Sequence, residues 1–277
     1  MTCQKCHPEE FAAQSRSGHA RSLARSRQNQ PGEWAFGAGV QAITFVSRAD
    51  SSHYLELEQS WYTRLNRYSR TPGHQQAGGV RYRIFDPEAA ILRCFSCHST
   101  GPVSLTADGA ITPDEPGVRC EACHGPAAAH TRNPASVRPL NPAGLDGAEM
   151  NKLCGGCHRA PSSIVSPDLR DPWNARHQPL LLAASACFRA SRGKLKCSNC
   201  HAPHAPLERR LAAYDAACAA CHRSPRHTTR VEGAACATCH MPAVTPASGL
   251  VFANHRIAIY RPGDPLAPVR GGSSMRR

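Results

Sequence analysis

Seven copies of one short motif constrain this chain of 277 residues more than any other feature. Each copy has the form Cys-x-x-Cys-His. Two thiols at this spacing can reach the two vinyl groups of one porphyrin, and the histidine that follows can bind the iron from one face, so the motif is the attachment sequence of c-type haem. The sequence therefore predicts seven covalently bound haem c groups. The copies are Cys3-Cys6-His7, Cys94-Cys97-His98, Cys120-Cys123-His124, Cys154-Cys157-His158, Cys197-Cys200-His201, Cys218-Cys221-His222 and Cys236-Cys239-His240.

Other uses of a cysteine-rich sequence fit the spacing less well. Zinc ribbons pair two Cys-x-x-Cys units and do not need a histidine beside each one. Redox motifs of the thioredoxin kind occur singly, in a βαβ background. A disulfide scaffold gives no reason for the repeated adjacent histidine. Fourteen of the 15 cysteines belong to the seven motifs, which leaves only Cys187 outside them.

The charge of the chain is easily misread. The formal net charge is +13, which would ordinarily suggest an anionic partner such as nucleic acid. Each oxidised haem adds a net charge of −1, because two propionates outweigh one ferric core, so seven haems lower the total to about +6. No aromatic cluster interleaved with Lys or Arg supports nucleic-acid binding. The most apolar stretch, Leu180 to Phe188, is far shorter than the ~20 residues of a membrane span.

Eight histidines lie outside the motifs: His19, His53, His74, His130, His177, His204, His227 and His255. Seven irons with an imidazole on each side need seven of them, so the supply predicts bis-histidine ligation with one histidine to spare. His53 and His177 have polar neighbours, and we expect one of these two to complete the set. Cys187 is either a small buried residue, an axial thiolate or an intermolecular link, and Met150 is a further candidate sulfur ligand.

Geometry indicates that distal histidines serve haems other than the nearest one along the chain. His204 follows His201 by only three residues and cannot easily reach the opposite face of the same porphyrin. The same argument applies to His130 after His124 and to His227 after His222. His19, on a helix expected to begin at Pro8, would lie about 18 Å from His7 at 1.5 Å per residue. Such cross-ligation would hold neighbouring haems close together.

The distribution of motifs predicts one haem-packed body over residues 1–277. Residues 1–93 hold the first motif and a long haem-free segment, and residues 94–277 hold six closely spaced motifs. Short helices that carry or follow the motifs predict a mainly α protein, and sparse aromatics with 44 Gly and Pro residues predict much irregular structure and a haem-packed core. Within residues 36–90 we expect a short β-hairpin, formed by Phe36 to Arg48 and Arg81 to Phe85.

Several sequence stretches resemble multihaem, heptahaem c-type cytochromes of acidobacteria and related bacteria, which share elements with the nitrite reductase and hydroxylamine oxidoreductase superfamily. The resemblance rests on Cys6-His7-Pro8-Glu9-Glu10-Phe11, Thr71-Pro72-Gly73-His74, Gly117-Val118-Arg119-Cys120 through Pro126, and Cys239-His240-Met241-Pro242 with His255-Arg256-Ile257. It implies that five histidines are distal ligands: His19, His74, His130, His204 and His255. No Cys-x-x-Cys-Lys motif is present, which argues against nitrite reduction.

These features predict electron transfer along seven haems, with an electron carrier favoured over an enzyme. The alternative is an oxidoreductase that acts on a nitrogen or sulfur oxyanion at one haem with an open coordination site. We expect redox partners that are themselves multihaem cytochromes, self-assembly into an oligomer or filament, no membrane span and no nucleic acid. Because haem c is attached after export, we expect a periplasmic or extracellular protein whose gene encodes an upstream signal peptide.

Overall fold

The computed structural model describes residues 3–74, 77–84, 90–161, 168, 170–227, 233–261 and 263–264. Contacts between Cα atoms group the chain into two compact units. The first unit holds residues 1–144 and 202–207, and the second holds residues 145–201 and 208–277. The single haem-packed body expected over residues 1–277 stays a prediction.

The helices are short. The α-helices are α1 (Pro8–Ser15), α2 (Ala90–His98), α3 (Cys120–His124), α4 (Ala128–Arg132), α5 (Gly147–His158), α6 (Gln178–Ala183), α7 (Ala186–Ala190), α8 (Asp215–Ala219) and α9 (Cys236–His240). Five 3₁₀ turns accompany them, at Cys3–Lys5, Pro142–Gly144, Pro172–Arg176, Cys197–Asn199 and Leu211–Tyr214. Pro8 at the start of α1 and two glutamates in its first turn favour the helix there, but α1 ends at Ser15, so His19 lies in the turn beyond it.

The haem-free segment of the first unit folds into a seven-stranded antiparallel sheet. Its strands are β1 (Leu23–Arg25), β2 (Trp34–Phe36), β3 (Ala42–Arg48), β4 (His53–Glu56), β5 (Gln59–Tyr62), β6 (Arg67–Arg70) and β7 (Val80–Arg83). The main path runs β1-β2-β3-β4-β7, and β5 joins β3 to β6. Two separate hairpins follow, β8 (Ser99–Leu105) with β9 (Ile111–Pro116) and, in the second unit, β10 (Ala243–Ala247) with β11 (Leu250–Ala253).

The expectation of a mainly α protein is wrong, because 32% of the described residues are in helices and 21% are in strands, which makes this a mixed α/β structure. The sequence predicted a two-stranded hairpin where the structure has a larger sheet. The two strands expected to pair, β3 and β7, are not neighbours, because β4 lies between them. Phe85, the last residue of that expected hairpin, lies outside the described residues. The Cys-x-x-Cys-His motifs are typical of helical turns, whereas residues 34–70 carry the β-branched and aromatic side chains that favour strands.

Side chains, and not only haem, build the core of the first unit. The buried cluster consists of Leu23, Trp34, Phe36, Val46, Tyr54, Ile84, Ile91, Phe95 and Ile111. Phe95, on α2, makes edge-to-face contacts with Trp34, Phe36 and Tyr54 at centroid distances of 5.4, 5.0 and 6.1 Å. The low aromatic content of the sequence did not predict this cluster of buried side chains. Because Phe95 lies between Cys94 and Cys97, the sheet core directly fixes the second motif.

The second unit is organised around α5. A capping box at its start pairs Asp146 with Glu149, which satisfies backbone N–H groups at the helix end. The buried leucines of α6 pack beside α5, and the side chain of Asn151 on α5 donates a hydrogen bond to the carbonyl of Pro179. Among the described residues, none of the helices has the length and apolar character required to cross a bilayer.

We expect Tyr54→Phe to destabilise the sheet measurably. The Tyr54 hydroxyl accepts a buried hydrogen bond of 2.8 Å from the backbone N–H of Ile111, which joins β4 to β9. Leaving this donor unpaired should lower the free energy of unfolding by about 1–3 kcal/mol. Denaturant unfolding of the haem-loaded protein measures the loss. Tyr68→Phe, at a side chain that is 38% exposed, is the control, and equal stability of the two variants would contradict the expectation.

Candidate functional site

Each of the seven motifs forms one helical turn. Motifs two, three, four and seven close α2, α3, α5 and α9, respectively. In the other three, the histidine N–H bonds to the carbonyl of the first cysteine at 2.8 Å for His7, 3.0 Å for His201 and 2.9 Å for His222. Residues three and four apart lie on one side of such a turn, so the two thiols and the imidazole face the same way. This arrangement is what attachment of one porphyrin requires.

Four motif histidines lie beside a histidine from elsewhere in the sequence. The ring centroids are 6.4 Å apart for His7 and His130, 6.0 Å for His124 and His204, 6.1 Å for His201 and His255, and 6.3 Å for His227 and His240. The ring planes differ by 24° to 49°. His204 therefore lies beside His124 and not beside His201, and His130 lies beside His7 and not beside His124.

The spacing of these pairs suits an iron between two imidazoles. With metal–nitrogen bonds of about 2 Å, and each ring centroid about 1.1 Å behind its nitrogen, the centroids of two axial imidazoles are about 6.2 Å apart. All four observed distances lie within a few tenths of an ångström of this value. The residues present therefore fit bis-histidine haem.

Hydrogen bonds fix the tautomer in every pair. One ring of each pair donates from Nδ1 to a backbone carbonyl: His130 to Val137 at 2.8 Å, His124 to Leu140 at 2.9 Å, His255 to Ala253 at 3.0 Å, and His240 to Ala258 at 2.9 Å. Because a carbonyl can only accept, the proton is on Nδ1, and the lone pair of Nε2 is left for a metal. His98 does the same with Ser22, at 2.9 Å.

Burial keeps several of these imidazoles neutral. Loss of hydration lowers the pKa of His98 and of His201 below the usual histidine range, and it lowers the pKa of His255 to about 4. Only the neutral imidazole binds iron. These histidines are therefore in the ligating form at neutral pH.

Cysteines of different motifs also meet in pairs. Cys3 lies against Cys120, Cys154 against Cys197, and Cys218 against Cys236, each pair within hydrogen-bonding contact. In every pair both members are the first cysteine of their motif. The porphyrins attached there would be direct neighbours: the first and third, the fourth and fifth, and the sixth and seventh along the chain.

His74 has different surroundings. Its side chain is only 3% exposed, and neither ring nitrogen has a hydrogen-bond partner. Its Nε2 lies 3.2 Å from a carboxylate oxygen of Glu56, which also accepts a bond of 2.8 Å from the hydroxyl of Tyr82. Burial and the Glu56 carboxylate raise the pKa of Tyr82, so the phenol stays a donor. Glu56 and Tyr82 were not among the sequence candidates, because only strand pairing brings them together.

The remaining candidates lie in other settings. His53, at the start of β4, shares its Nδ1 with Asp50 at 2.9 Å and with Ser52 at 2.9 Å, in a partly exposed cluster. His177 faces the side-chain oxygen of Asn174 at 3.1 Å, and burial together with Arg159 and Arg176 lowers its pKa. The carbonyl of His19 accepts a hydrogen bond from Val118, next to the third motif.

The two candidate sulfur ligands are both within the second unit. Burial raises the pKa of the Cys187 thiol, and the cysteines of two motifs, Cys200 and Cys221, are near it. A raised pKa favours the thiol over the thiolate that binds iron best. Met150 is buried on α5. Neither side chain is paired with a motif histidine in the way that the four imidazole pairs are.

We expect His130→Ala to open one iron. Loss of the imidazole beside His7 should convert about one seventh of the ferric haem from low spin to high spin, because ferric haem with one imidazole is high spin. Electron paramagnetic resonance of the oxidised protein measures the fraction. His53→Ala is the matched control and should leave the spectrum low spin. A wholly low-spin spectrum for His130→Ala would show that this imidazole is not a ligand.

Comparison with protein families gives one match. The model of the family described as "Cytochrome c554 and c-prime" matches residues 56–125, a segment that holds Glu56, His74, Tyr82 and the second and third motifs. No curated protein matches the chain.

Two solved structures share the fold. The outer cell wall cytochrome OcwA is 16% identical with a TM-score of 0.58, and the match covers 92% of this chain and 78% of OcwA. The undecahaem cytochrome from the S-layer of Carboxydothermus ferrireducens is 17% identical with a TM-score of 0.52. The match covers 94% of this chain but only 51% of that protein. The chain thus has the fold of multihaem cytochromes.

Proposed function

We propose that this protein transfers electrons through seven covalently bound, mostly bis-histidine c-type haems. The observation that carries the proposal is the set of four imidazole pairs at 6.0–6.4 Å, each joining a motif histidine to a histidine from elsewhere in the sequence. The fourteen motif cysteines would hold the porphyrins. Bound haem supplies reversible one-electron chemistry at iron.

The chain's own residues serve this function in three ways. Paired imidazoles leave no open position at an iron, and similar ligation in both redox states keeps structural change on electron transfer small. Carbonyl groups such as those of Val137 and Leu140 hold the imidazoles in one orientation. Contacts such as Cys3 with Cys120 and Cys154 with Cys197 would keep successive porphyrins close.

The ligand assignment that we propose uses seven of the eight spare histidines. His130, His204, His227 and His255 lie in imidazole pairs. His74 is buried without a hydrogen bond to either ring nitrogen, as expected of a ring reserved for a metal. His19 and His177 complete the set. His53 is then the spare residue, because its ring lies in a partly exposed cluster with Asp50 and Ser52.

The second candidate function is an oxidoreductase acting on a nitrogen or sulfur oxyanion. It requires one iron with a displaceable ligand and acid–base groups beside it. The Glu56, His74 and Tyr82 cluster is the observation that favours it, since it groups a carboxylate, an imidazole and a phenol. The electron-transfer proposal explains more of the observed structure, because the four imidazole pairs have no role in binding a substrate.

The two related structures come from cell-surface settings, an outer cell wall and an S-layer. By analogy, we assign this protein to the outside of the cytoplasm, in the periplasm or beyond it, with other multihaem cytochromes as redox partners and with self-assembly into an oligomer or filament. The narrower resemblance to acidobacterial heptahaem cytochromes, and to the nitrite reductase and hydroxylamine oxidoreductase superfamily, stays a prediction.

The number of haems, and whether any iron has an open coordination site, can be measured on the intact protein. We expect mass spectrometry to find seven haem additions, and Cys154→Ala with Cys157→Ala to leave six. We expect the oxidised protein to be low spin and its visible spectrum not to change when cyanide or hydroxylamine is added. A high-spin ferric signal together with cyanide binding to the resting protein would contradict simple electron transfer and favour the oxidoreductase.

A further inference from the structure

The surroundings of His74 differ from those of the histidines that a backbone carbonyl holds. In His98 and in one ring of each imidazole pair a carbonyl faces Nδ1, whereas in His74 the carboxylate of Glu56 lies 3.2 Å from Nε2. The contact is close enough for an ion pair but is not aligned as a hydrogen bond. A buried imidazole with neither nitrogen bonded is rare in folded proteins, and among the described residues no side chain or backbone group satisfies this ring, so it is suited to bind a metal.

A rigid turn fixes the position of His74. Thr71 to His74 form a reverse turn closed by a 3.1 Å bond from the His74 N–H to the Thr71 carbonyl. Gly73 has φ of +88°, the left-handed conformation that a turn with Pro at its second residue needs at its third. The Thr71 hydroxyl is anchored to the carbonyl of Leu57 at 2.6 Å and to the Ser60 hydroxyl at 2.9 Å.

Strand pairing and a side-chain hydrogen bond hold Glu56 in place. It is the last residue of β4, where it pairs with Val80 of β7 and Val46 of β3. The hydroxyl of Tyr82 donates to the same carboxylate oxygen that faces His74, at 2.8 Å. Backbone pairing and this bond together point the carboxylate at the imidazole. Burial and, after it, the Glu56 charge raise the pKa of the Cys94 thiol, so the second motif is close by.

We propose that Glu56 is the positioning residue of His74 and that Tyr82 moderates it, so that the iron bound by His74 carries a more strongly donating imidazole than the irons whose ligands are held by backbone carbonyls. This inference rests on the proposed function, in which His74 is an axial ligand. A carboxylate carries a full negative charge, whereas a carbonyl carries a partial one, so a ring N–H that faces a carboxylate makes the opposite nitrogen a stronger donor. Stronger donation favours the ferric state, and this iron would have one of the lowest midpoint potentials in the chain.

The decisive experiment uses two substitutions with opposite expected signs. Glu56→Gln removes the charge and keeps the shape, and it should move one step of a spectroelectrochemical titration to a more positive potential. Tyr82→Phe removes a donor that competes for the carboxylate, and it should move the same step to a more negative potential. Both substitutions should also shift the g-values of one low-spin signal in electron paramagnetic resonance, because these values report the strength of the ligand field. A distant charge changes a potential and leaves the g-values unchanged.

Two further variants separate the possible failures. Glu58→Gln is the matched control, because Glu58 is two residues away and faces Gly78 and Arg70, and it should shift neither quantity. His74→Ala should make one haem high spin. A wholly low-spin spectrum for His74→Ala would remove His74 from the proposed ligand set. A high-spin haem in His74→Ala together with unchanged g-values in Glu56→Gln would overturn the role of Glu56 and leave the proposed function intact.

Discussion

The pairing of imidazoles is the constraint on which the proposed haem-bearing part of this protein depends. In each of the four pairs, the two rings are separated by about the width of an iron atom and its two bonds to nitrogen. The helices that carry the motifs are mostly about five residues long, as in α3, α8 and α9. Isolated helices shorter than ~12–15 residues are marginal in water. An iron bound by His7 and His130 would join the first motif to α4, and one bound by His227 and His240 would join residue 227 to α9. On this view, ligation is both the electron path and a structural cross-link.

The first unit adds a second source of stability. Its seven-stranded sheet encloses an aromatic and aliphatic cluster centred on Phe95, a residue between the two cysteines of the second motif. That motif is therefore anchored in a conventional core, while the third motif lies on a five-residue helix. Edge-to-face contacts from Trp34, Phe36 and Tyr54 keep α2 in one position against the sheet. A rigid platform of this kind would hold its porphyrin with little freedom.

The groups that face the imidazoles differ, and such differences would tune the irons that we propose. Backbone carbonyls hold His98, His124, His130, His240 and His255. A carboxylate faces His74 instead. Burial lowers the pKa of His201 and His255, which keeps both rings neutral and able to ligate. Small differences between otherwise similar haems are what a multihaem carrier needs to direct electrons along a row.

The sequence by itself determined the predicted chemistry: the motif indicates which residues would hold haem, and the three-residue separation of His201 and His204 argues against ligation of one iron by both. These are local facts of covalent spacing, so they need no fold. Tertiary structure decided the rest. The sequence did not predict the full sheet, because pairing between β4 and β7 joins residues 24 to 30 positions apart and no local pattern specifies it. For the same reason, only the folded chain shows that His124 lies beside His204, and that Glu56 and Tyr82 meet at His74.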